Sequence, residues 1–266
     1  MGKVIILDFG HFIHNAAYSK SDMNPPYSAM VSMISCLKRV KVNKDDLIII
    51  AVDGRKSWRK DFETAYKANR KALRDKSGKD WTKIFSDFDK FLHKLDVSTK
   101  WNIIKIDRLE ADDIMAVACR YYKNNEVILI TTDSDLHQMW IYPNVKIYSP
   151  HPKVKNFKFP PKNFNVYKFI RQKIKKEATD NLISPVVTEE DYTNRNICVN
   201  LLQLPEWVEE IIIKSFENIK EKEENLFLFP FPKLVERFTT MCIKNKQIGE
   251  ETVGNVRKKI IQQTLY

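Results

Sequence analysis

Seven carboxylates stand at the ends of apolar runs in a chain that is otherwise basic. Asp8 closes VIIL, Asp53 closes LIIIAV, and Asp133 and Asp135 follow VILITT, while Glu110, Asp112 and Asp113 open an apolar helical pattern just after IIKI. If these runs are neighbouring strands of one parallel sheet, the acidic side chains converge at a single edge. Carboxylates held together repel one another, so either their pKa values rise or cations neutralise them. Hard divalent cations, which prefer oxygen ligands, suit such a set. Asp113 and Asp135 also stand where a helix start could use them, whereas Asp8 and Asp53, each closing a buried strand, are expected to serve no helix.

The elements that must position these residues are legible as hydrophobic patterns. Residues 3–8, 47–53, 102–106, 127–132 and 145–148 read as buried strands. Helical patterns run from about Tyr27 to Val42, from Leu109 to Tyr122 and, briefly, from Asp135 to Trp140. Asp80 is placed to cap a helix whose apolar residues Trp81, Ile84, Phe85, Phe88, Leu92 and Leu95 follow the 3.6-residue period. Strands alternating with helices predict an α/β fold with a central, mainly parallel sheet flanked by helices. In such sheets the ligand site lies outside the carboxyl ends of the strands, which is where the acids fall. Beyond Pro150 the pattern changes to helices at about 163–177, 205–220, 232–245 and 249–263. Two units are therefore expected: residues 1–155, and a smaller C-terminal helical lobe over 156–266.

The 266 residues carry a formal net charge of +11, unevenly spread. Residues 1–176 hold 34 Lys and Arg against 19 Asp and Glu, whereas 177–266 hold 11 against 15. A basic body that also gathers carboxylates points to a polyanion held against metal ions, with nucleic acid the first candidate. The four cysteines form no CxxC pair, which fits a reducing, cytoplasmic setting. The opening MGKVIILDFG reads as a strand rather than a signal peptide or membrane span.

Two basic stretches flank the acidic edge. Residues 55–76 hold nine Lys and Arg against three acids and interleave Trp58, Phe62 and Tyr66. Alternating cations and aromatics suit a phosphate backbone with bases free to stack, so Arg55, Lys56, Arg59, Lys60, Tyr66 and Lys71 are expected to contact nucleic acid, against the alternative of a solvated amphipathic helix. From Leu136 to Lys176 there is no Asp or Glu, and nine Lys and Arg lie between 153 and 176. Lys153, Lys155, Lys158, Lys173, Lys175 and Lys176 are the expected phosphate contacts there, positioning a strand without reading its sequence.

The blocks VDGRKSWRKDFETAYKANR (52–70), DRLEADDIMAV (107–117) and LITTDSDLHQMWIYPNVKIYSP (129–150) make the chain resemble the 5′ nucleases of the flap endonuclease superfamily, most closely their T-even phage RNase H branch. The resemblance runs through about residues 3–181. It implies a PIN-like 5′ nuclease domain with a helical gateway at about 55–78. It implies two Mg²⁺ ions, replaceable by Mn²⁺, with Asp8, Asp53, Glu110, Asp112 and Asp133 around the first. Asp113, Asp133 and Asp135, joined by Glu177 and Asp180, extend toward the second. Lys67 and Arg70 match the family's active-site cations. The implied activity is metal-dependent 5′ to 3′ exonuclease and flap endonuclease cleavage of RNA:DNA hybrid and DNA, removing RNA primers in phage replication, by a monomer. Alternatives are a non-catalytic nucleic-acid-binding protein on the same fold and a PIN-type ribonuclease.

The chain departs from the family at KEATDN (176–181), which stands where the family has GDxxDN; the Gly-rich hairpin that should follow is missing. A shortened helix-hairpin-helix region is therefore expected, with duplex grip falling to residues 136–176. The ending Gln262-Gln263-Thr264-Leu265-Tyr266 is similar to peptides that dock on sliding clamps through a Gln, a Leu and an aromatic, here Gln262, Leu265 and Tyr266; an ordinary helix end is the alternative. A single-stranded DNA-binding protein is a further expected partner.

Overall fold

The computed structural model describes residues 2–19, 23–43, 45–151, 156–175, 186–225, 228–231 and 234. Strands β1 (Val4–Asp8), β2 (Leu47–Val52), β3 (Asn102–Lys105), β4 (Val127–Ile130), β5 (Val145–Tyr148) and β6 (Phe157–Lys158) form one sheet in the order β3-β2-β1-β4-β5-β6. All pairings are parallel except β5 with β6. Helices α1 (Phe9–Ala17), α2 (Pro25–Arg39), α3 (Asn69–Lys76), α4 (Trp81–Ser98), α5 (Ala111–Tyr121), α6 (Val166–Lys175), α7 (Glu189–Val199) and α8 (Glu206–Glu217) surround it. Chain order runs outward from β1 to β3 and then crosses to β4, so the topological switch point lies between β1 and β4. Among the described residues no helix is long and apolar enough to cross a membrane.

Each central strand is buried on both faces, which explains the continuous apolar runs. Ile5, Leu7, Ile48, Ile50, Ile128 and Ile130 face a core shared with α1, α2 and α4. Val4, Ile6, Ile49, Ala51, Val127 and Leu129 face a second core shared with α5 and α8. Because side chains alternate along a strand, this parity also fixes where the residues after each strand point. Asp8, Asp53 and Thr131 continue the rows that face α5.

Two elements differ from expectation. Helix α1 follows β1 without a break: Asp8 is its N-cap, accepting from the His11 N–H at 3.4 Å. Gly10 and the lack of an intervening loop hide it in the sequence. Beyond Pro150 the sheet continues, since β6 pairs with β5 through Ile147 with Lys158 and Tyr148 with Phe157. The boundary expected at 155 therefore falls inside the sheet. Leu201 and α8, through Val208, Ile212 and Phe216, complete the α5-side core.

Candidate metal centre

The strand rows bring Asp8 and Asp53 to the carboxyl edge on the α5 side, and α5 begins there. Asp8 Oδ2 accepts from the Thr131 hydroxyl at 2.9 Å. Asp53 Oδ1 accepts from the Ala111 N–H at 2.8 Å, at the start of α5. Both carboxylates thus serve helix starts, contrary to the expectation from sequence. The reason is that α1 begins immediately after β1, and α5 begins against the end of β2. Asp133 Oδ1 accepts from the Asp135 N–H at 2.7 Å, while the Asp133 N–H donates to Thr131 Oγ1 at 2.9 Å. Thr131 therefore ties the β1 and β4 ends together. Opposite them, a Cβ added at Gly10 would stand 3.4 Å from Asp8 Oδ1 and 3.6 Å from Asp53 Oδ2. Glycine keeps the space in front of both carboxylates open.

The seven acids divide into two groups. Glu110, Asp113 and Asp135 are neutralised by the protein's own cations. Arg59 lies between the first two, 3.0 Å from Glu110 and 2.7 Å from Asp113. Its Nε also donates to the Cys198 carbonyl at 2.9 Å. Glu110 accepts in addition from the Tyr66 hydroxyl at 2.9 Å and from Lys67 Nζ at 2.5 Å. Asp113 accepts from Trp58 Nε1 and from the Glu110 N–H, each at 3.0 Å, closing a capping box. Asp135 pairs with Lys173 at 2.6 Å, and that ammonium also donates to Ser134 Oγ at 2.8 Å. Among the described residues, Asp8, Asp53, Asp112 and Asp133 pair with no Lys or Arg.

The electrostatics follow this division. Burial, then Asp53 and Asp133, raise Asp8 to about 6. Burial, then Asp133 and Asp8, push Asp112 well above the carboxylate range. Asp133 is raised by burial and by Asp135. Glu110 moves the other way: burial alone would raise it, but Lys67 and Arg59 together hold it below its usual value. Four carboxylates that load one another, with oxygen donors only, fit hard divalent cations. Among the described residues no three acids or imidazoles stand close enough to grip one ion unaided. That fits ions bound through one or two carboxylates each and through water, the usual mode for Mg²⁺.

Three expectations are corrected by burial. Arg59 is 1% exposed and Tyr66 4%, so neither can meet nucleic acid; both are spent on Glu110. Asp113 is fully buried, with both oxygens occupied by Arg59 and Trp58, and cannot ligate an ion. In the gateway, Arg55, Lys56, Lys60 and Lys71 are exposed. The 3₁₀ turn Trp58–Asp61 and α3 take the place of one continuous basic helix. Lys67 has φ 55°, a left-handed conformation costly for a side chain of its size, and this turns its ammonium onto Glu110. Lys67 acts on both Asp112 and Asp133. Arg70, together with Asp53, acts on the His14 imidazole, whose pKa is lowered first by burial. Lys158 is half-buried on β6 and Lys175 is exposed. Lys153, Lys155, Lys176, Glu177, Asp180, Gln262, Leu265 and Tyr266 lie outside the described residues.

Sequence reading missed Thr131, His11 and Trp58. Thr131 had a usable signal, since it extends the Val127, Leu129 row. His11 Nδ1 lies 2.9 Å from Thr132 Oγ1, and burial, then His151 and His14, lower its pKa to about 4, leaving a neutral imidazole beside Asp8.

A family model described as 5′-3′ exonuclease, N-terminal resolvase-like domain, matches residues 3–179. Ribonuclease H of Enterobacteria phage T4 is 34% identical over 121 residues, covering 44% of this chain and 40% of that protein. The match thus spans less than half the length of that relative. Among solved structures, a bacteriophage T5 flap endonuclease in a pseudo-enzyme-product complex with DNA and metal ions shares 18% identity, with a TM-score of 0.55 and 98% of each chain covered. The T5 5′-exonuclease with bound divalent zinc gives 19% identity, a TM-score of 0.55 and the same coverage. These two likenesses show the fold.

Proposed function

The chain belongs to the 5′-3′ exonuclease N-terminal resolvase-like domain family, and from that premise we propose that it is a divalent-metal-dependent nuclease hydrolysing phosphodiester bonds of DNA and RNA:DNA hybrid. Cleavage would proceed 5′ to 3′ and would include flaps and nicks, as in removing RNA primers during phage DNA replication. One observation carries this reading: four carboxylates from β1, β2, α5 and the β4 edge meet at the switch point, unneutralised, while every neighbouring acid already has its cation.

Asp8, Asp53, Asp112 and Asp133 are the proposed ligands of the first Mg²⁺, with Mn²⁺ able to replace it. Glu110 shapes the site through Lys67 and Arg59. A second ion would draw on Asp133 and Asp135 with Glu177 and Asp180. When bound, the ions would supply Lewis acidity and a water nucleophile at neutral pH. Gly10 leaves room beside the carboxylates. Lys67 and Arg70 would stabilise the charge that grows on the scissile phosphate, and Arg55, Lys56, Lys60 and Lys71 would guide the strand by its phosphates. The T5 relatives' DNA and metal complexes support the same assignment here. Docking on a sliding clamp through Gln262, Leu265 and Tyr266 would show as clamp-stimulated cleavage lost when residues 262–266 are removed.

The test is to run 5′-labelled and 3′-labelled flap, nick and RNA:DNA hybrid substrates side by side with Mg²⁺. Short 5′ products that EDTA abolishes are expected. Tight binding of the same substrates with no product at any Mg²⁺ or Mn²⁺ concentration would replace this reading with a non-catalytic binding protein.

A further inference from the structure

Folding divides the acid-free basic stretch into two faces. Helix α6 buries Val166, Ile170 and Ile174, spaced four apart, against Phe164, Val186, Tyr192, Val199 and Leu202. Lys173 turns toward the metal edge and is held by Asp135 and Ser134. The remaining side of the helix carries Tyr167, Lys168, Arg171, Gln172 and Lys175, all exposed. With Asn165, these five line a cavity of about 710 Å³.

Three features set this face apart from an ordinary solvated one. Among the described residues, Lys168, Arg171 and Lys175 form no ion pair, whereas Lys173 on the same helix does. Tyr167 is 69% exposed in the middle of these cations, with its whole ring free to stack. The face also contains no acid, and α7, packed on α6, ties its Asp191 into its own capping box with Thr188. Lys168 to Lys175 spans about 10 Å of helix at about 1.5 Å per residue. That is the length of roughly three phosphate steps of one strand at about 3.4 Å each. Aromatic side chains among cations in a groove are how single strands are held without regard to sequence.

We propose that the outward face of α6 is a second nucleic-acid contact, in which Lys168, Arg171 and Lys175 take successive phosphates of a single strand and Tyr167 stacks on one of its bases. The proposal rests on the nuclease reading for its role, because α6 reaches the metal edge through Lys173 and so continues the path of a strand that has entered the site. It would hold the substrate away from the scissile bond, adding affinity without taking part in cleavage.

The experiment measures binding of a 5′-fluorescein-labelled single-stranded DNA by fluorescence anisotropy, with EDTA present, across a series of salt concentrations. Lys168→Glu with Arg171→Glu should weaken binding by about tenfold or more and lower the salt slope by roughly two. Tyr167→Ala should weaken it by about five- to a hundredfold with the slope unchanged. Lys162→Glu, an exposed charge reversal outside this face, serves as the control. The milder Lys168→Gln with Arg171→Gln, checked by thermal melting, covers the case in which the reversals perturb folding. Unchanged affinity and slope, or losses no larger than with Lys162→Glu, would overturn the proposal. They would leave an acidic protein partner as the occupant to pursue. If the wild-type chain cleaves nothing yet the α6 variants lose binding, the nuclease reading fails and this contact stands. If cleavage proceeds and binding is untouched, the reverse holds.

Discussion

Glu110, Asp113 and Asp135 each meet a Lys or Arg, whereas Asp8, Asp53, Asp112 and Asp133, a few residues away, meet mainly one another. The first group is a strut. Arg59 joins the gateway to the start of α5 and to the end of α7 through Glu110, Asp113 and the Cys198 carbonyl. The second group is a load, since it lowers the stability of the metal-free protein until cations arrive. The same residue type therefore carries opposite consequences on the two sides, and substitutions should separate them by sign.

The largest effect should come from the load. Asp112→Asn or Asp133→Asn should reduce single-turnover cleavage of a labelled flap with Mg²⁺ by about a thousandfold or more, because a charged ligand to the proposed ion is lost. The same variants should melt no lower than wild type without metal, and Mg²⁺ should raise their melting temperature less. Cleavage at the wild-type rate, or a large loss of stability, would merge the two groups.

The strut should respond in the opposite way. Arg59→Met strands two buried carboxylates and should cost about 3–5 kcal/mol. That would be read as a melting temperature lower by roughly 6–15 °C. Adding Glu110→Gln and Asp113→Asn to Arg59→Met should recover much of the loss, since the stranded charge is the main cost. A variant Arg59→Met as stable as wild type in urea titration would show that the Arg59 cluster is not a strut.

Gly10 probes the space between the groups' functions. Gly10→Val should raise the Mg²⁺ concentration for half-maximal cleavage by about tenfold, or about 1.4 kcal/mol of ion binding, with Gly10→Ala shifting it less. An unchanged Mg²⁺ requirement in both variants would mean that the ion sits elsewhere.

The load was legible in the sequence and the strut was not, for a physical reason. Parallel strands buried on both faces read as unbroken apolar runs, so β1, β2 and β4, and the acids at their carboxyl ends, could be placed directly. Pairing across the fold leaves no local mark. Arg59 finds Glu110 and Asp113 at separations of 51 and 54 residues, and in the basic stretch it looks like any phosphate-seeking cation. Tyr66 is hidden in the same way. Helix α7 was not foreseen because it buries only Arg195 and Cys198 and so shows little periodicity. The two-residue β6 is too short to announce itself.

Arg59 and Lys60 compress the comparison into adjacent residues. One is enclosed by carboxylates and the other is exposed on the same turn. Lys60→Ala should leave stability within about 0.5 kcal/mol of wild type, as exposed substitutions do. If Lys60 meets a phosphate, the variant should lower the salt slope of DNA binding by about 0.9, the share of one neutralised charge. The expected loss of affinity is a fewfold, the smallest of these effects and the one that separates guiding cations from structural ones. A salt slope equal to wild type would remove Lys60 from the strand's path and leave gateway guidance to Arg55, Lys56 and Lys71. A stability loss approaching that of Arg59→Met would instead mean that the turn, rather than the buried guanidinium, is what holds α5 in place.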